Sequence, residues 1–165
     1  MDRQYSMDDI VAALFSYFRF KAQLNCVTQV ACFYDDIEDF VAFNENKICC
    51  VEIKISKQDF LCDFKNKVKH RSENLYDRFY FCVPRDMVDF ALNYLKQNSY
   101  NRYGVVYIDK DEVKFAKKAS NGVSKIGCNY KEILPKLYSR MSSELANEKM
   151  AKSSSGKRWV KKIAC

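Results

Sequence analysis

Apolar side chains recur at spacings of three and four near the start of the chain, where Ile10, Leu14, Tyr17 and Phe18 predict an amphipathic helix. Asp8 and Asp9 stand at its beginning, where carboxylates suit the positive end of the helix dipole. The period then shortens to two. Residues 27–34 are rich in β-branched and aromatic side chains and predict a strand. Asp35, Asp36, Ile37 and Glu38 predict a turn, residues 39–43 a second strand, residues 44–47 a hairpin loop, and residues 48–55 a third strand. Ser56 and Asp59 are placed as N-cap and capping-box partner of a helix whose apolar stripe is Phe60, Leu61, Phe64 and Val68. Residues 79–83 form a wholly apolar strand stopped by Pro84. A short helix carrying Met87, Phe90, Ala91 and Tyr94 follows, then a hairpin of residues 105–108 and 112–116. Leu137, Met141 and Leu145 mark a last helix, begun either at Asn129 with Glu132 or with Pro135 in its first turn. The order α-β-β-β-α-β-α-β-β-α predicts an α/β fold with a mixed central sheet flanked by helices.

The third strand carries the chemistry. In Val51-Glu52-Ile53-Lys54-Ile55 alternate residues share a face, so Glu52 and Lys54 point the same way, about 6–7 Å apart, with Val51, Ile53 and Ile55 on the buried side. An acid and a base side by side can simply pair on an exposed face. Asp39 gives the pair a second meaning, because the hairpin lays it near Glu52. Two carboxylates held together repel unless a cation intervenes. Mg2+ (or Mn2+) suits them, since it takes hard oxygens from one or two carboxylates, and the backbone carbonyl of Ile53 offers a third ligand. A metal so held polarises a phosphodiester, and Lys54 beside it can orient water and offset phosphoryl charge. Asp39 is preferred because it abuts the strand; Asp36 is the alternative.

Length and composition narrow the setting. With 165 residues, 48% hydrophobic and 15% aromatic, the chain reads as one packed domain over residues 1–150. The formal charge of +7 makes a polyanion a plausible partner. Six of its basic residues (Lys149, Lys152, Lys157, Arg158, Lys161 and Lys162) lie from position 149 onward with no acid among them, so residues 151–165 are expected to be a flexible basic tail. The eight cysteines lack any CxxC spacing and sit mostly in apolar runs, which predicts reduced thiols in a cytoplasmic protein. No apolar run is long enough for a membrane span. Lys57, Lys65, Lys67, Lys69 and His70 could hold DNA phosphates or form a solvated helix face with His70 at its C-terminal dipole. Lys157 and Arg158, with Trp159, could add phosphate contacts and stacking or merely solubilise the end.

Asp39, twelve residues, and then Glu52-Ile53-Lys54 resemble the D…(D/E)xK motif of the PD-(D/E)XK nuclease superfamily. The runs 51–61, 63–70, 77–84 and 103–108 are similar to the small MmcB-type DNA-repair nuclease-like proteins, including phage-encoded versions. The resemblance spans residues 37–119. It implies an αβββαβ core, dependence on Mg2+ or Mn2+, DNA as partner, and phosphodiester hydrolysis in DNA repair or phage DNA processing by Asp39, Glu52 and Lys54. The position before the family's Asp is often Pro or small, whereas Glu38 stands here. A nucleic-acid-binding module without cleavage, on the same fold, is the alternative. The oligomeric state, monomer or homodimer, is left open.

Overall fold

The computed structural model describes residues 5–32, 37–66, 76–120 and 130–152. Its elements follow the predicted order: α1 (Met7–Phe15), β1 (Asn25–Ala31), β2 (Ile37–Asn44), β3 (Lys47–Ile53), α2 (Lys57–Asn66), β4 (Arg78–Cys82), α3 (Val88–Gln97), β5 (Gly104–Asp109), β6 (Glu112–Lys117) and α4 (Tyr130–Lys152). Six strands form one mixed sheet in the order β1-β2-β3-β4-β5-β6. The first three make an antiparallel meander, β3-β4 and β4-β5 are parallel, and β6 returns antiparallel. Helices α2 and α3 are the crossovers that parallel pairing requires.

Local chemistry sets the helix starts. Ser6 caps α1 in a reciprocal capping box with Asp9, so this carboxylate is spent on the helix end. A wider π-type turn over Ser16–Lys21 extends α1 and buries Phe18. Ser56 accepts the Asp59 N–H at 3.1 Å and so caps α2 as its position predicts. Pro135 lies inside α4, five residues past its start. The stripe on that helix fades outward: Leu137 is fully buried, Met141 partly, and Leu145 is exposed.

The two faces of the sheet carry separate cores. On one, Val41, Phe43, Ile48, Cys50 and Phe81 pack with Phe60 of α2, Ala91 and Leu95 of α3, and Ile133 and Leu137 of α4. On the other, α1 lays Ile10, Ala13 and Leu14, with Phe18 behind them, over Phe40, Ala42, Cys49, Val51 and Tyr80. Strands β3 and β4 are thus covered on both sides, which explains their nearly unbroken apolar runs.

One fault in the pleat matters for the site. Pairing of β1 with β2 runs from Asn25↔Phe43 to Thr28↔Phe40 and resumes at Val30↔Glu38, passing over Gln29, whose φ is 48°. A left-handed residue breaks the alternation of faces. Val27 and Val30, three apart, accordingly share one core. Opposite them Val41 lies in that core and Glu38, also three apart, hydrogen-bonds two of its members, Tyr76 and Cys50. The stretch expected to be a turn at 35–38 therefore ends in strand, since β2 begins at Ile37 and Glu38 is fully buried. The third strand is shorter than expected, ending at Ile53, and Ile55 is exposed instead of buried.

At the outer edge α4 turns polar groups onto β1. Glu144 accepts both the backbone N–H and the hydroxyl of Thr28, at 3.0 and 2.7 Å, while the Arg140 guanidinium donates to the Thr28 carbonyl at 3.0 Å. Arg140 and Glu144 are themselves an ion pair at 3.3 Å.

Of the six cysteines among the described residues, Cys62 alone is exposed, and none of the six is in a disulfide. Burial pushes the thiols of Cys26 and Cys82 up to about 12, and that of Cys49 to about 11. These thiols stay neutral in the folded chain while the unfolded chain loses their protons from about pH 8.5 upward. Their contribution is therefore complete below that point and is lost as pH rises through the folded values. Urea midpoints should fall between about pH 9 and 12, less steeply in Cys82→Ala than in the parent. A second expectation concerns Gly104, where a Cβ would run into the Tyr80 ring and lie 2.6 Å from the Ala119 backbone nitrogen. Gly104→Ala should lower stability by roughly 1–3 kcal/mol, read from the same urea curves.

Candidate functional site

Two strands, one helix and the segment leading into β4 bring buried polar groups together on the face that carries α2 and α3. Alternation on β3 sends Cys50 and Glu52 to this face, and Lys54 follows directly after the strand, tied to β4 by its N–H on the Cys82 carbonyl at 2.9 Å. β2 supplies Glu38. Helix α2 supplies Asp63, three residues before its end, and Tyr76 enters just before β4. Glu38, Glu52, Lys54 and Asp63 are the buried charged residues of the described chain.

Lys54 occupies the middle of an ion triad. Its Nζ lies 3.0 Å from Glu52 Oε2 and 2.8 Å from Asp63 Oδ1. Burial alone would push the ammonium pKa down. The two carboxylates and their hydrogen bonds outweigh that and hold it above the ordinary 10.5. The shift favours the charged form of Lys54, which links the end of β3 to α2.

Glu38 has different company. Tyr76 donates its hydroxyl to Oε1 in a short hydrogen bond, and the Cys50 thiol donates to Oε2 at 3.3 Å. Burial, then nearby Cys50 and Glu38, drive the Tyr76 pKa well above its ordinary value, so the phenol remains a donor. Glu38, Cys50 and Glu52 each turn one potential ligand atom inward, and those three atoms lie within 4.8 Å of one another.

Asp39 is placed differently from the expectation. Its Oδ2 accepts the Ile53 backbone N–H at 2.9 Å and its Oδ1 accepts the Gln29 side-chain amide at 3.3 Å. It fills the gap that opens between β2 and β3 beyond the Phe40↔Val51 pair. The fault at Gln29 is the physical reason: an unbroken alternation would have turned Asp39 toward Glu52, whereas the switched face gives Glu38 that place. Ile53 keeps its side chain in the opposite core. The sequence signal that could have found Glu38 is the apolar pattern itself, because a strand beginning at Ile37 makes Glu38 a strand residue. Asp63 carried no such signal, being one polar position on a mostly polar helix.

Of the basic residues expected to meet DNA, Lys57 and Lys65 are exposed on α2, and Lys57 lies 5.2 Å from the centre of the Phe90 ring. Lys67, Lys69, His70, Lys157 and Arg158 lie outside the described residues, as does Asp36. No helix among the described residues is long and apolar enough to cross a membrane.

No protein-family model matches the chain, and no curated protein matches it either. Among solved structures it is similar to the SPO1766 protein of unknown function from Silicibacter pomeroyi, with a TM-score of 0.67 and 15% identity, covering 90% of this chain and 94% of that one. At that identity the likeness speaks for the fold alone: an α/β architecture with a mixed sheet flanked by helices, preserved over nearly the whole of both chains.

Proposed function

We propose that this protein is a divalent-metal-dependent DNA nuclease on a PD-(D/E)XK-type core, serving DNA repair or phage DNA processing, with Glu38 taking the carboxylate role that the sequence assigned to Asp39. The observation that carries this reading is the convergence of Glu38 and Glu52, from adjacent strands, beside an ammonium held charged by its surroundings. The path α1-β1-β2-β3-α2-β4, with an antiparallel meander followed by a parallel fourth strand, fits the αβββαβ core.

The donor chemistry suits the ion. Two buried carboxylates give hard oxygens of the kind Mg2+ and Mn2+ take. A bound divalent ion supplies Lewis acidity at the phosphodiester. The chain itself supplies the rest. Lys54 donates hydrogen bonds and positive charge toward the oxygens where negative charge accumulates in the transition state. Asp63 is a positioning residue: it fixes the Lys54 ammonium from α2, so that the lysine does not depend on Glu52 alone. Tyr76 orients Glu38 through its short hydrogen bond. Asp39 holds the Ile53 backbone and thereby the neighbouring Glu52. Lys57 and Lys65 stand on the exposed side of α2, where they can meet phosphates.

A second reading, a nucleic-acid-binding module without cleavage, is favoured by one fact: Lys54 is buried and engaged by two carboxylates at once. Cleavage assays separate the two. With Mg2+ or Mn2+ the parent should cut single-stranded, duplex or branched DNA, and EDTA should stop it. Glu52→Gln and Lys54→Ala should each lower the rate by about 10²–10³-fold, the scale for losing one preorganised electrostatic group. Glu38→Gln should fall with them, whereas Asp39→Asn should retain most activity and lose mainly thermal stability. Binding without any metal-dependent cleavage would establish the second reading. Asp63→Asn should lower kcat at nearly constant KM, measured by steady-state kinetics on a fluorescent oligonucleotide. A comparable rise in KM would place Asp63 in substrate binding instead.

A further inference from the structure

We propose that Cys50 is a ligand as well as a core residue, so that Glu38, Cys50 and Glu52 form a thiol-containing metal site that prefers Zn2+ to Mg2+ or Mn2+. The inference rests on the reading of Glu38 and Glu52 as metal carboxylates and adds the ion that their neighbour selects.

The geometry supports it in two ways. First, the three donors come from two adjacent strands: Cys50 and Glu52 are two apart on β3 and Glu38 faces them from β2, all fully buried. Such a set is carried on rigid backbone. Second, tetrahedral zinc with sulfur at about 2.3 Å and carboxylate oxygen at about 2.1 Å puts those two donors roughly 3.6 Å apart. Cys50 Sγ and Glu38 Oε2 are 3.3 Å apart, so little movement is needed.

The ligand chemistry then selects. Mg2+ requires six hard oxygens in near-octahedral array, and a thiol beside the two carboxylates contributes none. Zn2+ accepts sulfur and oxygen together at four-coordination and lies above Mn2+ in divalent affinity. Zinc coordination displaces the thiol proton to solvent and breaks the Cys50–Glu38 hydrogen bond, putting the ion where the proton was. A site filled in this way holds Glu38 and Glu52 together, so zinc acts as an inhibitor of the Mg2+- or Mn2+-supported reaction.

Titration of the full chain with Zn2+ and with Cd2+, as a spectroscopic stand-in, tests the assignment. One Cd2+ should bind with a sulfur-to-metal charge-transfer band in the ultraviolet. That band should vanish in Cys50→Ser and persist in Cys62→Ser. Zn2+ affinity should fall at least about tenfold in Cys50→Ser while Mn2+ affinity stays nearly constant, the scale expected when a metal loses a tuned partner. Glu38→Gln, which keeps the thiol, should weaken Zn2+ as well and serves as the second variant if Cys50→Ser unfolds. A band retained in Cys50→Ser, or Zn2+ affinity equal to the parent in both variants, overturns the proposal. Glu52-dependent cleavage with Cys50-independent zinc binding overturns it while leaving the nuclease reading intact. Cys50-dependent zinc binding in a protein that cuts no DNA supports it and removes the nuclease reading.

Discussion

The buried ammonium of Lys54, shared between Glu52 and Asp63, is the interaction on which the arrangement of this face depends. Removing charges from water costs several kcal/mol per ion, and the mutual attraction of a buried pair barely repays that unless the geometry is good. Here one cation serves two acids at 2.8 and 3.0 Å. The cost is offset by position, because the triad joins the last residues of β3 to the middle of α2 and sets how the crossover helix sits over the parallel strands. Phe60 and Phe64 of the same helix then meet Phe81 of β4. The polar tie fixes the register and the aromatic contacts supply the area.

That tie also explains why the carboxylates can be so close together. A strand covered on both sides would normally exclude Glu52, and Glu38 beside it doubles the difficulty. Lys54 relieves one, and Tyr76 with Cys50 relieves the other through hydrogen bonds. The consequence is a site in which one ammonium serves both Glu52 and Asp63, a phenol and a thiol donate to Glu38, and a backbone N–H donates to Asp39.

Much of the architecture was legible before the structure because periodicity carries it. The helix–strand order, the Ser56 cap and the placement of Glu52 and Lys54 on one face follow from local spacing and from turn and cap chemistry. The choice between Glu38 and Asp39 was not legible, for a specific reason. Counting along β2 by twos assumes an unbroken pleat, and the break is caused by Gln29 on a neighbouring strand, a residue with no Gly or Pro to announce its positive φ. Asp63 was missed because a helix rich in polar residues hides the one that points inward. Alternation puts Ile55 in the core only if the strand continues to it; β3 ends two residues earlier, at Ile53, and Ile55 is 63% exposed.

The grip of α4 on Thr28 reaches beyond local packing. An outer strand with bare amide and carbonyl groups is a template for a second chain, and many proteins blunt it with proline or a lysine. This chain instead recruits Glu144 and Arg140 to imitate a missing neighbour strand, one accepting and the other donating at the same residue. The safeguard therefore sits more than a hundred positions downstream in the chain. During synthesis β1 emerges long before its guard, so the nascent sheet passes through a period in which its first edge is unprotected and open to other strands.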